Sequence, residues 1–174
     1  MKQIFSYFFA LLKILSIAKI LNLFKLYSSF FYAKITGHII HKGSPWSLSI
    51  ETGTSCNLSC LECPSGQKQF SRPTGYLSLQ DFKTIIQKQK KYLIWLILYF
   101  QGEPYMNRDF FAMVKYAKLL KIFTTSSTNG HFLNKSNAKK TIESGLDQII
   151  ISLDGATKKF KIFSSIYYSS VYCF

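Results

Sequence analysis

The chain has 174 residues, enough for one ordinary domain and short for two. Lys and Arg number 22 against 8 Asp and Glu, a net charge of +14, and 48% of residues are hydrophobic, which excludes an acidic disordered tail. Nine glycines and four prolines exclude a collagenous or low-complexity chain, and four cysteines are too few for a disulfide-dense secreted scaffold.

The first acidic residue is Glu51, preceded by Lys2, Lys13, Lys19, Lys25, Lys34 and Lys42. Residues 3–33 are mostly Ile, Leu, Phe, Tyr and Ala, with lysines recurring among them. A spanning helix needs about 20 apolar residues with few charges, and the longest uninterrupted stretch here is Gln3 to Leu12, which disfavours a transmembrane span. Lys2 followed by an apolar run fits a signal peptide in part, but the apolar character passes residue 30 and no small-x-small cleavage site follows. Two readings stay open for residues 1–45: a basic helix in peripheral contact with a membrane through residues 1–33, or an extension packed on its own domain. The lysines are scattered and Arg occurs only at Arg72 and Arg108, so no nucleic-acid partner is expected.

From residue 46 the pattern changes. Ser47 to Glu51 alternates and predicts a first strand. Residues 52–77 are a loop rich in Gly, Ser, Thr, Cys and Pro. Ser78 and Asp81 form an N-cap pair, and Phe82, Ile85, Ile86 and Leu93 predict a helix over about 79–92. The apolar run Leu93 to Phe100 suits a parallel strand covered on both faces. Phe110, Met113, Val114 and Ala117 mark the next helix. Lys121 to Ser126 predicts a third strand, Ser136 to Ser144 a short helix closed by Gly145, and Gln148 to Leu153 a fourth buried strand. Strands alternating with helices give an α/β fold with parallel strands, an open sheet or part of a (βα) barrel, with the chemistry at the carboxyl ends of the strands.

The loop after the first strand holds Cys56, Cys60 and Cys63 as C-x3-C-x2-C. Three thiolates on one loop can converge on a soft metal centre, whereas a closed structural zinc site takes four ligands. A zinc site completed by His131 or Cys173 is the alternative. The cysteine spacing after the first strand of a parallel βα array resembles the radical S-adenosylmethionine (SAM) superfamily. That resemblance implies that Cys56, Cys60 and Cys63 hold a 4Fe-4S cluster and that SAM chelates the remaining iron. It also implies that reduction of SAM yields a 5′-deoxyadenosyl radical, which takes hydrogen from a substrate.

Later strand ends carry the same resemblance. Gln101-Gly102-Glu103-Pro104 resembles the family's Gly-Gly-Glu-Pro, with Gln101 in place of the first Gly; Gly102 and Glu103 would meet the SAM amino group. Thr128-Asn129-Gly130 resembles the segment near the adenosyl part of SAM, where Asn129 would lie. Ser152-Leu153-Asp154-Gly155 resembles the family's Ser-x-Asp-Gly, placing Ser152 and Asp154 in the pocket, Asp154 toward a ribose hydroxyl. Glu62 stands where the family often has an aromatic residue before the third cysteine. The segments around the cysteines, YFQGEPY and SGLDQIIISLDGATK resemble SPASM-type proteins, many of which modify peptides or proteins. The resemblance further implies a peptide or protein substrate, an electron donor such as flavodoxin or ferredoxin, and a reducing cytoplasmic setting.

The resemblance covers residues 46–159, read as a partial core domain. The family barrel has six βα units and four strands are read here. Phe160 to Phe174 forms an atypical tail without an acidic residue, so a premature end or frame slip near Lys158-Lys159 is expected. On that reading Cys173 is an accidental thiol rather than a ligand of an auxiliary cluster. The rival functional readings are a zinc-binding interaction module and an inactive fragment.

Overall fold

The computed structural model describes residues 10–153. Helix α1, Ile17–Thr36, starts at Ser16, whose side chain accepts from the Lys19 amide, and stops at Gly37, which takes a left-handed φ of 73° and donates its N–H to Ala33 O. Its buried residues are polar: Lys19, Asn22 and Ser29. Lys19 Nζ donates to the carbonyls of Lys121 (2.8 Å) and Ile14 (3.3 Å), and the Asn22 amide exchanges two 2.8 Å hydrogen bonds with the Ser44 backbone. Burial, and then the positive charge of Lys121, hold the Lys19 amine below its ordinary value of 10.5. The lysines that interrupt the apolar segment are therefore not all solvated; one of them ties α1 to the turn before the third strand. Among the described residues no helix is long and apolar enough to cross a membrane.

Strands β1 (Ser47–Ser49), β2 (Trp95–Ile97), β3 (Phe123–Thr128) and β4 (Gln148–Ile151) form one sheet in the order β1-β2-β3-β4, every neighbouring pair parallel. Between them run α2 (Pro64–Gln67), α3 (Leu79–Gln89), α4 (Phe110–Leu119) and α5 (Lys135–Ser144). This is the parallel α/β, partial-barrel architecture that the βα alternation predicts. Phe82 and Ile86 of α3, Phe110, Met113, Val114 and Ala117 of α4, and Leu96 of β2 with Leu93 and Leu98 beside it, are fully buried in one apolar cluster.

The element edges differ from the expected ones for local reasons. The α3 helix ends at Gln89 rather than 92, because Tyr92 N–H and Leu93 N–H both bond back to Gln89 O in a closing turn. The run 93–100 is buried at Leu93, Ile94, Leu96 and Leu98, but only Trp95–Ile97 make the ladder. The third strand starts at Phe123 rather than 121, since Lys121 has a φ of 54° and belongs to the turn after α4. Helix α5 begins one residue early, at Lys135, because Asn134 is its cap and accepts from the Asn137 amide at 2.9 Å.

The Ser78–Asp81 cap is as read: Ser78 Oγ accepts from the Asp81 amide at 3.1 Å and donates to Asp81 Oδ2 at 2.6 Å. Replacing Ser78 by alanine is expected to lower stability by about 1 kcal/mol, seen as a lower urea midpoint at unchanged slope.

Candidate metal and cofactor site

Three strand ends and the cysteine loop meet at one place. The loop leaves β1 through Ile50, whose amide extends the pairing to Ile97 O. It is fixed to the end of β2 by backbone contacts: Glu103 N–H donates to Ser55 O at 2.8 Å, and Gly102 N–H donates to Ser65 Oγ at 2.8 Å. Gly102 has a φ of 74°, and a Cβ there would lie 2.2 Å from Gly53 O and 2.9 Å from Ser55 O. Glycine is thus the residue that lets this strand end lie against the loop.

Glu103 is 2% exposed. Its Oε1 accepts from Thr128 Oγ1 (2.8 Å) and the Tyr105 amide (3.2 Å), and its Oε2 accepts from the Asn129 amide (2.9 Å). The carboxylate therefore joins the end of β2 to the end of β3. Among the described residues it forms no ion pair. A carboxylate has about four acceptor positions, so one remains after these three bonds. A buried carboxylate held by neutral donors alone is costly unless a cation completes it.

Asn129 N–H bonds Glu103, while its carboxamide donates to Asn57 Oδ1 at 2.8 Å and to Cys56 Sγ at 3.7 Å. The expected neighbours from β2, β3 and the cysteine loop are therefore brought together. Ser152 lies just past β4; its amide bonds Thr128 O at 2.9 Å and its hydroxyl lies 3.2 Å from Ser127 Oγ, so it meets β3. Asp154, Cys173 and the tail from Phe160 lie outside the described residues.

Cys56, Cys60 and Cys63 are half-buried, and no disulfide links them. The Leu58 amide points at Cys56 Sγ (3.4 Å), and the Cys63 thiol donates to Gln101 Oε1 (3.7 Å). No group of three or more His, Cys, Asp or Glu side chains is closed into a metal-ligating arrangement among the described residues. Thiols do not attract one another; binding of the ion is what draws such ligands in. The donor set nevertheless fits an iron–sulfur cluster: three soft sulfurs on one short loop, none in a disulfide, with hydrogen-bonding groups directed at two of them. His131, the alternative fourth zinc ligand, is exposed, and its backbone amide bonds Asn129 Oδ1 at 3.0 Å.

Sequence reasoning missed three contributors: Thr128, whose hydroxyl fastens Glu103; Ser65, which is 5% exposed and bonds both Gly102 N–H and Gln101 Oε1; and Asn57, which receives the Asn129 carboxamide. Only Thr128 carried a signal, as part of the quoted Thr-Asn-Gly segment; Ser65 and Asn57 look like ordinary loop residues.

Comparison with known proteins places this site in context. The chain is 32% identical over 114 residues to the mycofactocin maturase MftC of Mycobacterium ulcerans, a match covering 66% of this chain and 30% of that protein. It is 31% identical over 118 residues to the AdoMet-dependent heme synthase of Oleidesulfovibrio alaskensis, covering 67% of this chain and 30% of that protein. The chain thus spans about 30% of the length of these curated relatives. Among solved structures it resembles BtrN in complex with AdoMet and 2-DOIA, with a TM-score of 0.59 and 22% identity over 69% of this chain and 50% of that one. It also resembles Streptococcus suis SuiB, with a TM-score of 0.55 and 25% identity over 73% of this chain and 28% of that one; SuiB has also been solved bound to S-adenosylmethionine and to the precursor peptide SuiA. Members of the matching family use a 4Fe-4S cluster and SAM. With the Radical SAM superfamily model matching residues 50–168, most of the described sheet and the whole cysteine loop, this chain belongs to the radical SAM superfamily.

Proposed function

We propose that this chain carries the cofactor-binding part of a radical SAM enzyme, with Cys56, Cys60 and Cys63 as the cluster ligands and Glu103 as the acceptor for the SAM amino group. The observation that carries the reading is Glu103: a 2% exposed carboxylate without an ion-pair partner among the described residues, fastened to the strand end beside the cysteine loop. An ammonium group supplies the missing positive charge there through a charge-assisted hydrogen bond. Cys56, Cys60 and Cys63 would hold the cluster, which would supply, when reduced, the electron for reductive cleavage of the SAM sulfonium bond. The chain's own part is to hold the cofactors in register: Gly102 and Ser65 keep the cysteine loop closed on β2, and Glu103 locks β2 to β3. Gly102, Asn129, Ser152 and Asp154 complete the proposed pocket, within a core domain of residues 46–159.

A peptide or protein substrate is the class this reading favours. The support is the similarity to a mycofactocin maturase and to SuiB, solved with a precursor peptide. The resemblance to SPASM-type proteins points the same way; the electron would come from a low-potential donor such as flavodoxin or ferredoxin.

Anaerobic reconstitution with iron and sulfide tests the reading. Close to four irons and four sulfides per folded chain, with 5′-deoxyadenosine released from SAM on reduction, is the expected result. Stoichiometric zinc with no iron uptake would replace it with a zinc-binding module, and neither metal with an inactive fragment.

A further inference from the structure

Gln101 occupies a position where the resembled family motif has glycine, and it is the one residue of QGEP whose side chain reaches the cysteine loop. Its Oε1 accepts from Ser65 Oγ at 2.9 Å and from the Cys63 thiol at 3.7 Å. Ser65, 5% exposed, also accepts from the Gly102 amide, so the Gln101 carboxamide is braced from the strand that bears it. On the next strand, Asn129 directs its carboxamide to Cys56 Sγ at the same 3.7 Å. Two primary amides on adjacent strand ends thus address the first and third sulfurs of the trio.

We propose that Gln101 is a positioning residue that donates a hydrogen bond from its carboxamide to the ligating Cys63 sulfur, fixing that sulfur and raising the reduction potential of the centre it binds. This rests on the assignment of Cys63 as a cluster ligand. As a thiol, Cys63 donates and the carboxamide oxygen accepts. A ligating sulfur has lost that proton and can only accept. A half-turn of the Gln101 amide about its terminal bond puts N–H where the oxygen was. Ser65 Oγ can donate or accept, so it supports either orientation. Donors aimed at ligand sulfurs stabilise the more negative, reduced state of an iron–sulfur centre and orient its ligands. A glycine at position 101 supplies no such donor.

The test uses the whole 174-residue chain with Gln101→Gly and the near-isosteric Gln101→Glu, each first checked for native circular dichroism. Cobalt(II), titrated anaerobically and followed by its thiolate charge-transfer absorption, reports the sulfur site without any catalysis; Cys60→Ser is the control that weakens it. Both Gln101 variants should bind cobalt about 10- to 100-fold more weakly than the unsubstituted chain. After reconstitution both should show a more negative midpoint potential. Pulsed electron paramagnetic resonance of the reduced, unsubstituted chain, grown with side-chain 15N-glutamine, should show coupling to a glutamine nitrogen that persists in Gln67→Ala, since the Gln67 amide also lies on the cysteine loop, and is lost in Gln101→Gly. Cobalt affinity within twofold of the unsubstituted chain with an unmoved potential, or no nitrogen coupling, overturns the proposal. If the unsubstituted chain takes up no iron, the cluster assignment fails and this inference with it. If it loads iron and the glutamine signatures are absent, this inference fails alone.

Discussion

Gly102→Ala is expected to disrupt the fold of the site. Its φ of 74° already costs an L-residue about 1–2 kcal/mol. The new Cβ would also meet Gly53 O at 2.2 Å and Ser55 O at 2.9 Å, both backbone atoms that no rotamer change can move. Relief requires the strand end to part from the cysteine loop, breaking the 2.8 Å bonds from Glu103 N–H to Ser55 O and from Gly102 N–H to Ser65 Oγ. The sum is about 3 kcal/mol or more, a large share of the 5–15 kcal/mol that typically holds a domain together. Urea unfolding followed by circular dichroism should show a much lower midpoint, and limited proteolysis should cut first within residues 52–77. An alanine variant with wild-type stability would contradict the tight approach of loop and strand.

Glu103→Gln should separate cluster loading from SAM binding. The substitution keeps shape and removes charge. Iron content should survive, because no thiol is touched. Affinity for SAM should fall by roughly 30- to 5,000-fold, the equivalent of about 2–5 kcal/mol for removing one partner of a buried charged pair. Equilibrium binding to the iron-loaded protein checks this. Part of the loss will be structural, since an amide NH2 in place of Oε2 opposes the Asn129 N–H or, turned over, the Thr128 and Tyr105 donors. Glu103→Asp distinguishes the two causes: it retains charge but shortens the reach, so it should weaken the β2–β3 link while keeping some affinity for SAM. Unchanged SAM affinity in Glu103→Gln would remove Glu103 from the cofactor site.

The alternation of strands and helices was legible because α3 and α4 carry their apolar residues at helical spacing, the polar α5 is closed by Gly145, and β2 and β4 are apolar runs. Phe110, Met113, Val114 and Ala117 are all fully buried, as their spacing implies. Strand β3 was harder to bound because it is polar: Phe123–Thr128 reads FTTSST. Its hydroxyls are buried by pairing, Ser126 Oγ to Leu98 O, Thr124 Oγ1 to Asp147 Oδ2 and Thr128 Oγ1 to Glu103 Oε1. Hydrophobic periodicity does not register a strand whose side chains are satisfied across the sheet. The motif residues were legible from resemblance, but their mutual roles were not. That Glu103 is a buried clasp between strands, and that Gln101 faces a sulfur, depends on contacts between segments 25 and 38 residues apart.

Because the strands are parallel and lie in chain order, all their carboxyl ends face the same side, and α3, α4 and α5 carry the chain back to begin the next strand at the opposite edge. Remodelling of the outer layer is thereby uncoupled from the chemistry. A longer C-terminal turn of α3 or α5 would be absorbed where the chain turns back into the next strand, at the edge opposite Gly102, Glu103 and Asn129. A single residue inserted between Ile97 and Gly102 would instead shift Gly102 and Glu103 against the cysteine loop. The architecture thus leaves its periphery free to diverge while allowing almost no slack of even one position where the strands open.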